Sequence, residues 1–183
     1  MVSLRSIRQT KKLKFSCHLK KNSHMKDKIN LPIALGESLN QKASLDERIK
    51  ESLNLIFEAF DAKNCTFHRA DDSLLHLVDQ IGLPEKIAEI ASKIPIGKGM
   101  AGICAERKEP VTMCNLQKDE SGVARPAAKD TKVEGAVVVP LINEEGKVFA
   151  TLGIGKSGEY EYSEDEIKLL TECAQVLMGT ISQ

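Results

Sequence analysis

The stretch Val133–Lys156, VEGAVVVPLINEEGKVFATLGIGK, decides the fold. Two apolar runs, Val133 to Asn143 and Lys147 to Lys156, are separated by Glu144-Glu145-Gly146, a short polar link with glycine at the turn. Runs of this length, rich in β-branched residues and joined so tightly, form neighbouring antiparallel strands. A sheet this apolar has to be covered, and the flanking sequence supplies helices for the purpose. Downstream, Ser163 and Glu166 make an S-x-x-E capping box, after which Ile167, Leu170, Ala174, Leu177, Met178 and Ile181 recur at helical spacing. Upstream, Leu45, Ile49, Leu53, Ile56, Phe57 and Phe60 fall on one helical face opposite a charged one, predicting an amphipathic helix of roughly 18 residues.

Between these helices the pattern alternates. Cys65 to Arg69 and Ser73 to Ile81 read as a second hairpin across Ala70-Asp71-Asp72. Pro84 starts a helix carrying Ile87, Ile90, Ala91 and Ile94. A short helix then runs from about Gly99 to Lys108, Pro110 stops it, and Val111 to Leu116 reads as a strand. Gln117 to Lys132 is a long polar loop. Paired hairpins bracketed by helices predict an α+β domain, an antiparallel sheet covered by helices, rather than a doubly wound parallel fold.

Composition bounds what such a domain can do. The chain has 183 residues, 42% hydrophobic and 28% charged, which suits one globular domain with a little left over. No apolar run reaches the roughly 18 residues of a membrane helix. Trp is absent and aromatic residues make up 4%, so sites built on aromatic stacking are not expected. The formal charge is zero, yet residues 1–43 hold ten lysines and arginines against Asp27 and Glu37, a net +8, leaving −8 on the remainder. We therefore expect residues 1–43 to be a basic, disordered leader and 44–183 the folded domain; translation from Met25 would remove most of the basic excess. The leader carries no continuous apolar segment of the secretory type, and a cytoplasmic protein is expected. Nucleic acid is not an expected partner, although a basic tail that engages nucleic acid or acidic lipid is a third reading alongside those below.

Five cysteines, Cys17, Cys65, Cys104, Cys114 and Cys173, form neither an even framework nor a C-x-x-C pair. Cys17, His18 and His24 lack a fourth ligand, and no metal site is expected. Gly97-x-Gly99-x-x-Gly102 matches a dinucleotide fingerprint in letters, but a helix and Pro95 precede it instead of a buried strand. A tight start to a helix and close packing explain these glycines better. Gly155-Lys156-Ser157 looks like the end of a phosphate loop, but its partner glycine position is Ala150 and no helix follows directly.

Taken in order, Ile94–Pro110 (IPIGKGMAGICAERKEP), Val111–Leu116 (VTMCNL), Gly135–Leu141 (GAVVVPL), Val148–Gly155 (VFATLGIG) and Tyr162-Ser163-Glu164-Asp165 with its helix resemble a GAF domain. The resemblance implies a central antiparallel sheet with the first and last helices on one face. A ligand pocket lies on the other, under a lid drawn from Ile81 to Lys132. The ligand-binding residues it implies are Cys114, Asn115, Ser121, Arg125, Lys129 and Asp130, with Cys104 nearby; Arg125 and Lys129 are the cations a bound anion would use. The resemblance further implies a non-catalytic small-molecule sensor, its ligand and any cofactor unidentified. It would signal through a homodimer of the first and last helices or through a protein partner. The N-K-x-x-x-F-x-x-x-D-E constellation of cyclic-nucleotide binders and a Cys-His pair for a bilin are both missing from the expected positions. The alternative is a thiol-dependent reductase similar to the free methionine sulfoxide reductases, using Cys104 and Cys114, with Ala101 at the family's nucleophile position.

Overall fold

A computed structural model describes residues 30–40, 43–123 and 130–181. The described chain runs α1 (Leu31–Leu39), α2 (Leu45–Ala59), β1 (Asn64–Ala70), β2 (Leu74–Ile81), α3 (Glu85–Ala91), β3 (Lys93–Pro95), α4 (Gly99–Arg107), β4 (Val111–Met113), β5 (Ala136–Ile142), β6 (Val148–Gly155) and α5 (Glu164–Ile181). A single 3-10 turn, Leu116–Lys118, lies between β4 and β5. The strands form one antiparallel sheet in the order β3-β2-β1-β6-β5-β4. The two expected hairpins, β1-β2 and β5-β6, meet where β1 pairs with β6 from Asn64–Gly155 to Arg69–Ala150.

Strand alternation gives this sheet two unlike faces. Cys65 and Phe67 of β1, Val137, Val139 and Leu141 of β5, and Ala150, Leu152 and Ile154 of β6 point to one side, all almost fully buried. They pack against Ile49, Leu53, Ile56 and Phe60 from α2 and Leu170, Cys173, Ala174 and Leu177 from α5. Burying each large side chain contributes roughly 1.5–3 kcal/mol, so this layer is the main source of stability.

Local chemistry explains the helix ends. Ser163 N–H donates to Glu166 Oε2 at 3.1 Å and Glu166 N–H to Ser163 Oγ at 3.3 Å, completing the expected capping box of α5. Ser44 and Glu47 form the same reciprocal pair at the start of α2. That helix spans 15 residues instead of about 18, because Phe60 caps it and Asp61 turns the chain with φ 48°. In the Gly-rich segment Gly97 N–H donates to Gly102 O at 2.8 Å, and a Cβ on Gly102 would collide with Pro95 O. The glycines thus serve a tight start to α4 and its close packing.

Three features depart from the sequence reading. β4 ends at Met113 instead of Leu116, since the Asn115 side chain accepts from Gln117 N–H at 3.0 Å and Lys118 N–H at 3.2 Å and curls the chain into the 3-10 turn. The short β3 pairs Leu74–His76 with Lys93–Pro95 where only a helix end was expected. Most consequential is α1. The charge pattern places residues 31–39 in the basic leader, yet they form a helix whose Leu31, Leu35 and Leu39 are buried in the main core beside α2 and α5. Spacing by four puts these leucines on one stripe, and the Arg48 Nη1 donates to Leu39 O at 3.0 Å to finish the helix. The other leader residues, up to Ile29, lie outside the described residues.

Candidate functional site

On the face opposite α2 and α5, a cavity of about 160 Å³ opens between the sheet and the segment from Leu83 to Val133. Its floor is β1, β5 and β6; its roof is α3, Ile94 and the first turn of α4. This is the face and the lid segment that the family resemblance implied. Ile87, Ile90 and Met100 reach down from the roof, while Leu116 and Val133 close the side near β4. The space stays open because Ala91, Gly99, Ala101, Ala136 and Gly153 present little or no side chain to it. At Gly153 the floor is bare backbone, where a Cβ would come 2.9 Å from Thr66 Oγ1 and 3.3 Å from Val138 Cγ2.

Polar atoms enter this apolar wall mainly from one strand. Asn64, Thr66 and His68 occupy alternate positions on β1 and so share the cavity face. His68 is 2% exposed, and its Nε2 lies 3.1 Å from Ala91 O. Because the carbonyl can only accept, Nε2 carries the proton and Nδ1 is an acceptor, without a partner among the described residues. Burial drives the His68 pKa from the ordinary 6.5 down to about 4, against a smaller upward pull from the Ala91 bond. The ring is therefore neutral at pH 7. Among the described residues, no Asp, Glu, Lys or Arg lines the cavity.

Of the residues named from the sequence, those within the described chain lie elsewhere. Arg125 and Lys129 fall outside the described residues. Cys114, Asn115, Ser121 and Asp130 do not line the cavity. Asn115 is buried, and besides capping the 3-10 turn its Nδ2 donates to Glu134 Oε2 at 3.2 Å and Glu159 Oε2 at 3.1 Å. It ties three loop segments together and is occupied within the protein. Those bonds, the Asn115 amide first and then Lys118, hold the Glu159 carboxyl below its usual range. Ser121 donates to Asp119 on the surface, and Cys114 and Asp130 are exposed.

Cys104 is fully buried against β5, with Sγ 3.5 Å from Val138 O, and burial pushes its thiol up to about 12. A thiol held so far above neutral is a poor nucleophile. Lys108, four residues further on, donates to Gly146 O at 2.7 Å. Brief treatment of the native protein with a maleimide should label Cys114 and spare Cys65, Cys104 and Cys173, as read by peptide mass spectrometry. Rapid labelling of Cys104 would contradict its placement. Among the described residues no group of three or more His, Cys, Asp or Glu is placed to hold a metal ion, and no helix is long and apolar enough to cross a membrane.

The sequence reading missed the cavity residues because small and uncharged side chains announce no chemistry. The available signal was the polar alternation Asn64, Thr66, His68 on a strand whose other face, Cys65 and Phe67, is core. Solved structures share the fold. The GAF domain of a phosphoenolpyruvate-protein phosphotransferase from Coxiella burnetii is 21% identical with a TM-score of 0.75, over 86% of this chain and 94% of that one. The corresponding domain from Acinetobacter is 20% identical with a TM-score of 0.71, over 84% and 92%. A free methionine-R-sulfoxide reductase from Neisseria meningitidis, solved in complex with its substrate, is 16% identical with a TM-score of 0.69, over 83% and 86%. No curated protein sequence matches the chain. The family model described as GAF domain matches residues 42–181, which span the whole sheet, the cavity and α5, and the chain belongs to the GAF domain family.

Proposed function

We propose that this GAF domain is a non-catalytic sensor that binds a small molecule between the sheet and the α3–α4 roof. The observation that carries the reading is the cavity itself, kept open by five glycine and alanine positions where a packed core would place larger side chains. A ligand there would touch α3, α4 and the sheet together, so its arrival would favour one roof position over others. The signal would pass to a protein partner or across a dimer, in the cytoplasm as the odd cysteine count suggests. A homodimer through the helical layer would use the outer sides of α1 and α2, where Ile33 and Leu45 are exposed, because Leu169, Leu170 and Leu177 of α5 are already buried within the chain.

Fold likeness to a free methionine-R-sulfoxide reductase keeps a thiol reductase as the alternative, but the buried, protonated Cys104 weighs against it. Turnover of free methionine sulfoxide with a thiol reductant would decide that alternative. The sensor reading is tested by weighing the purified protein under native and then denaturing conditions. We expect a bound mass that disappears on denaturation in the wild type and is absent from Ala101→Leu, which fills the cavity from α4. A wild type that carries no added mass and takes up no small molecule from a fragment mixture would overturn the reading.

A further inference from the structure

We infer that the occupant of the cavity is an electrically neutral, ring-sized molecule with an apolar body and one hydrogen-bonding edge, the class of benzyl alcohol, phenol or indole. The inference rests on the small-molecule reading of the same cavity and specifies what that reading leaves open.

Size sets the first limit. An engineered cavity of about 150 Å³ holds benzene, so about 160 Å³ accommodates on the order of six to nine non-hydrogen atoms. A nucleotide is larger than that space and would extend beyond its walls. Charge sets the second. The described wall offers no ionic group, and an anion moved into it would lose its hydration without gaining a countercharge. The same holds for a cation, since among the described residues no carboxylate lines the space and no aromatic ring does other than neutral His68.

The polar atoms set the third limit. Asn64, Thr66 and His68 form a single polar stripe along β1, opposite the aliphatic Ile87, Ile90 and Met100 of the roof. With Nε2 engaged by Ala91 O, His68 keeps Nδ1 as an acceptor that no described residue answers. The hydroxyl of Thr66, beside Gly153 on the cavity floor, is the partner that a ligand O–H or N–H brought to the β1 edge meets. A ligand with one donor on an apolar ring therefore matches the wall in volume, charge and polarity.

The experiment titrates the full chain at pH 7 by calorimetry with benzyl alcohol and with benzoate, two probes of one size that differ in charge. Both titrations are repeated on Ala101→Leu, with Ala136→Val filling the same space from β5 should the first variant unfold. We expect benzyl alcohol to bind one to one, benzoate to bind at least about tenfold more weakly, and the filled variant to lose at least about tenfold in affinity for benzyl alcohol. Benzoate binding as tightly as benzyl alcohol, or more tightly, would overturn the neutral class, and the sensor reading would stand. Failure of both probes, with a co-purified mass that the filled variant loses, would overturn the class alone. Failure of both probes with no such mass would overturn the class and the sensor reading together.

Discussion

Replacing Leu35 by Ala is expected to lower the unfolding free energy by about 2–5 kcal/mol, a large part of the stability of a domain this size. Leu35 is completely buried and belongs to the same core as Leu53, Leu170 and Leu177, so its truncation leaves a void that α1, α2 and α5 cannot easily close. Urea unfolding followed by circular dichroism provides the measurement. A change of less than about 0.5 kcal/mol, the value expected of a surface position, would show that α1 is a detachable leader after all. The result matters because α1 precedes the family match, which begins at residue 42. A truncation designed on the family boundary would expose the apolar faces of α2 and α5 that α1 now covers.

The second large effect is a pH dependence. His68 binds a proton near 6.5 when unfolded but only near 4 when folded, so the unfolded state takes up the proton first as pH falls. The sign follows directly. At pH 7 both states are neutral and the full stability is present; between about pH 6.5 and 4 it is progressively lost; below about 4 both states are charged and the loss stops growing. Between pH 7 and pH 4.5 the domain should lose about 2–3 kcal/mol of unfolding free energy to this one residue. Exposed carboxyls held low by local hydrogen bonds, such as Asp71 and Glu159, lose their contribution mostly at lower pH than this. His68→Gln should therefore flatten the profile in this window. Parallel profiles for the variant and the wild type would mean that His68 is not buried in its neutral form.

How legible was all this in the chain? Several residues whose meaning depends on near neighbours read the same in the sequence and in the structure. Gly146 at the β5-β6 turn, Ser163 and Glu166 at the start of α5, Pro84 before α3 and the α2 stripe each act within a few residues of themselves. Helix α1 escaped because its three leucines are diluted by Pro32 and Gly36 and sit beside a strongly basic segment, and only tertiary burial gives the stripe its value. Asn115 misled for a related reason. The family resemblance implied a ligand contact there, whereas Asn115 bends its own backbone and joins Glu134 to Glu159. The cavity was legible in outline but not in detail. The resemblance implied this face and roof, yet the small residues that define the wall come from four elements, α3, α4, β5 and β6, whose directions only the fold fixes.

The sheet ends on both sides in strands of three residues, β3 and β4, with Lys93 and Pro95 within the first and Pro110 just before the second. Short borders carrying proline and lysine give another chain little backbone to template on. Copies of this protein are thereby discouraged from adding strand to strand into extended aggregates.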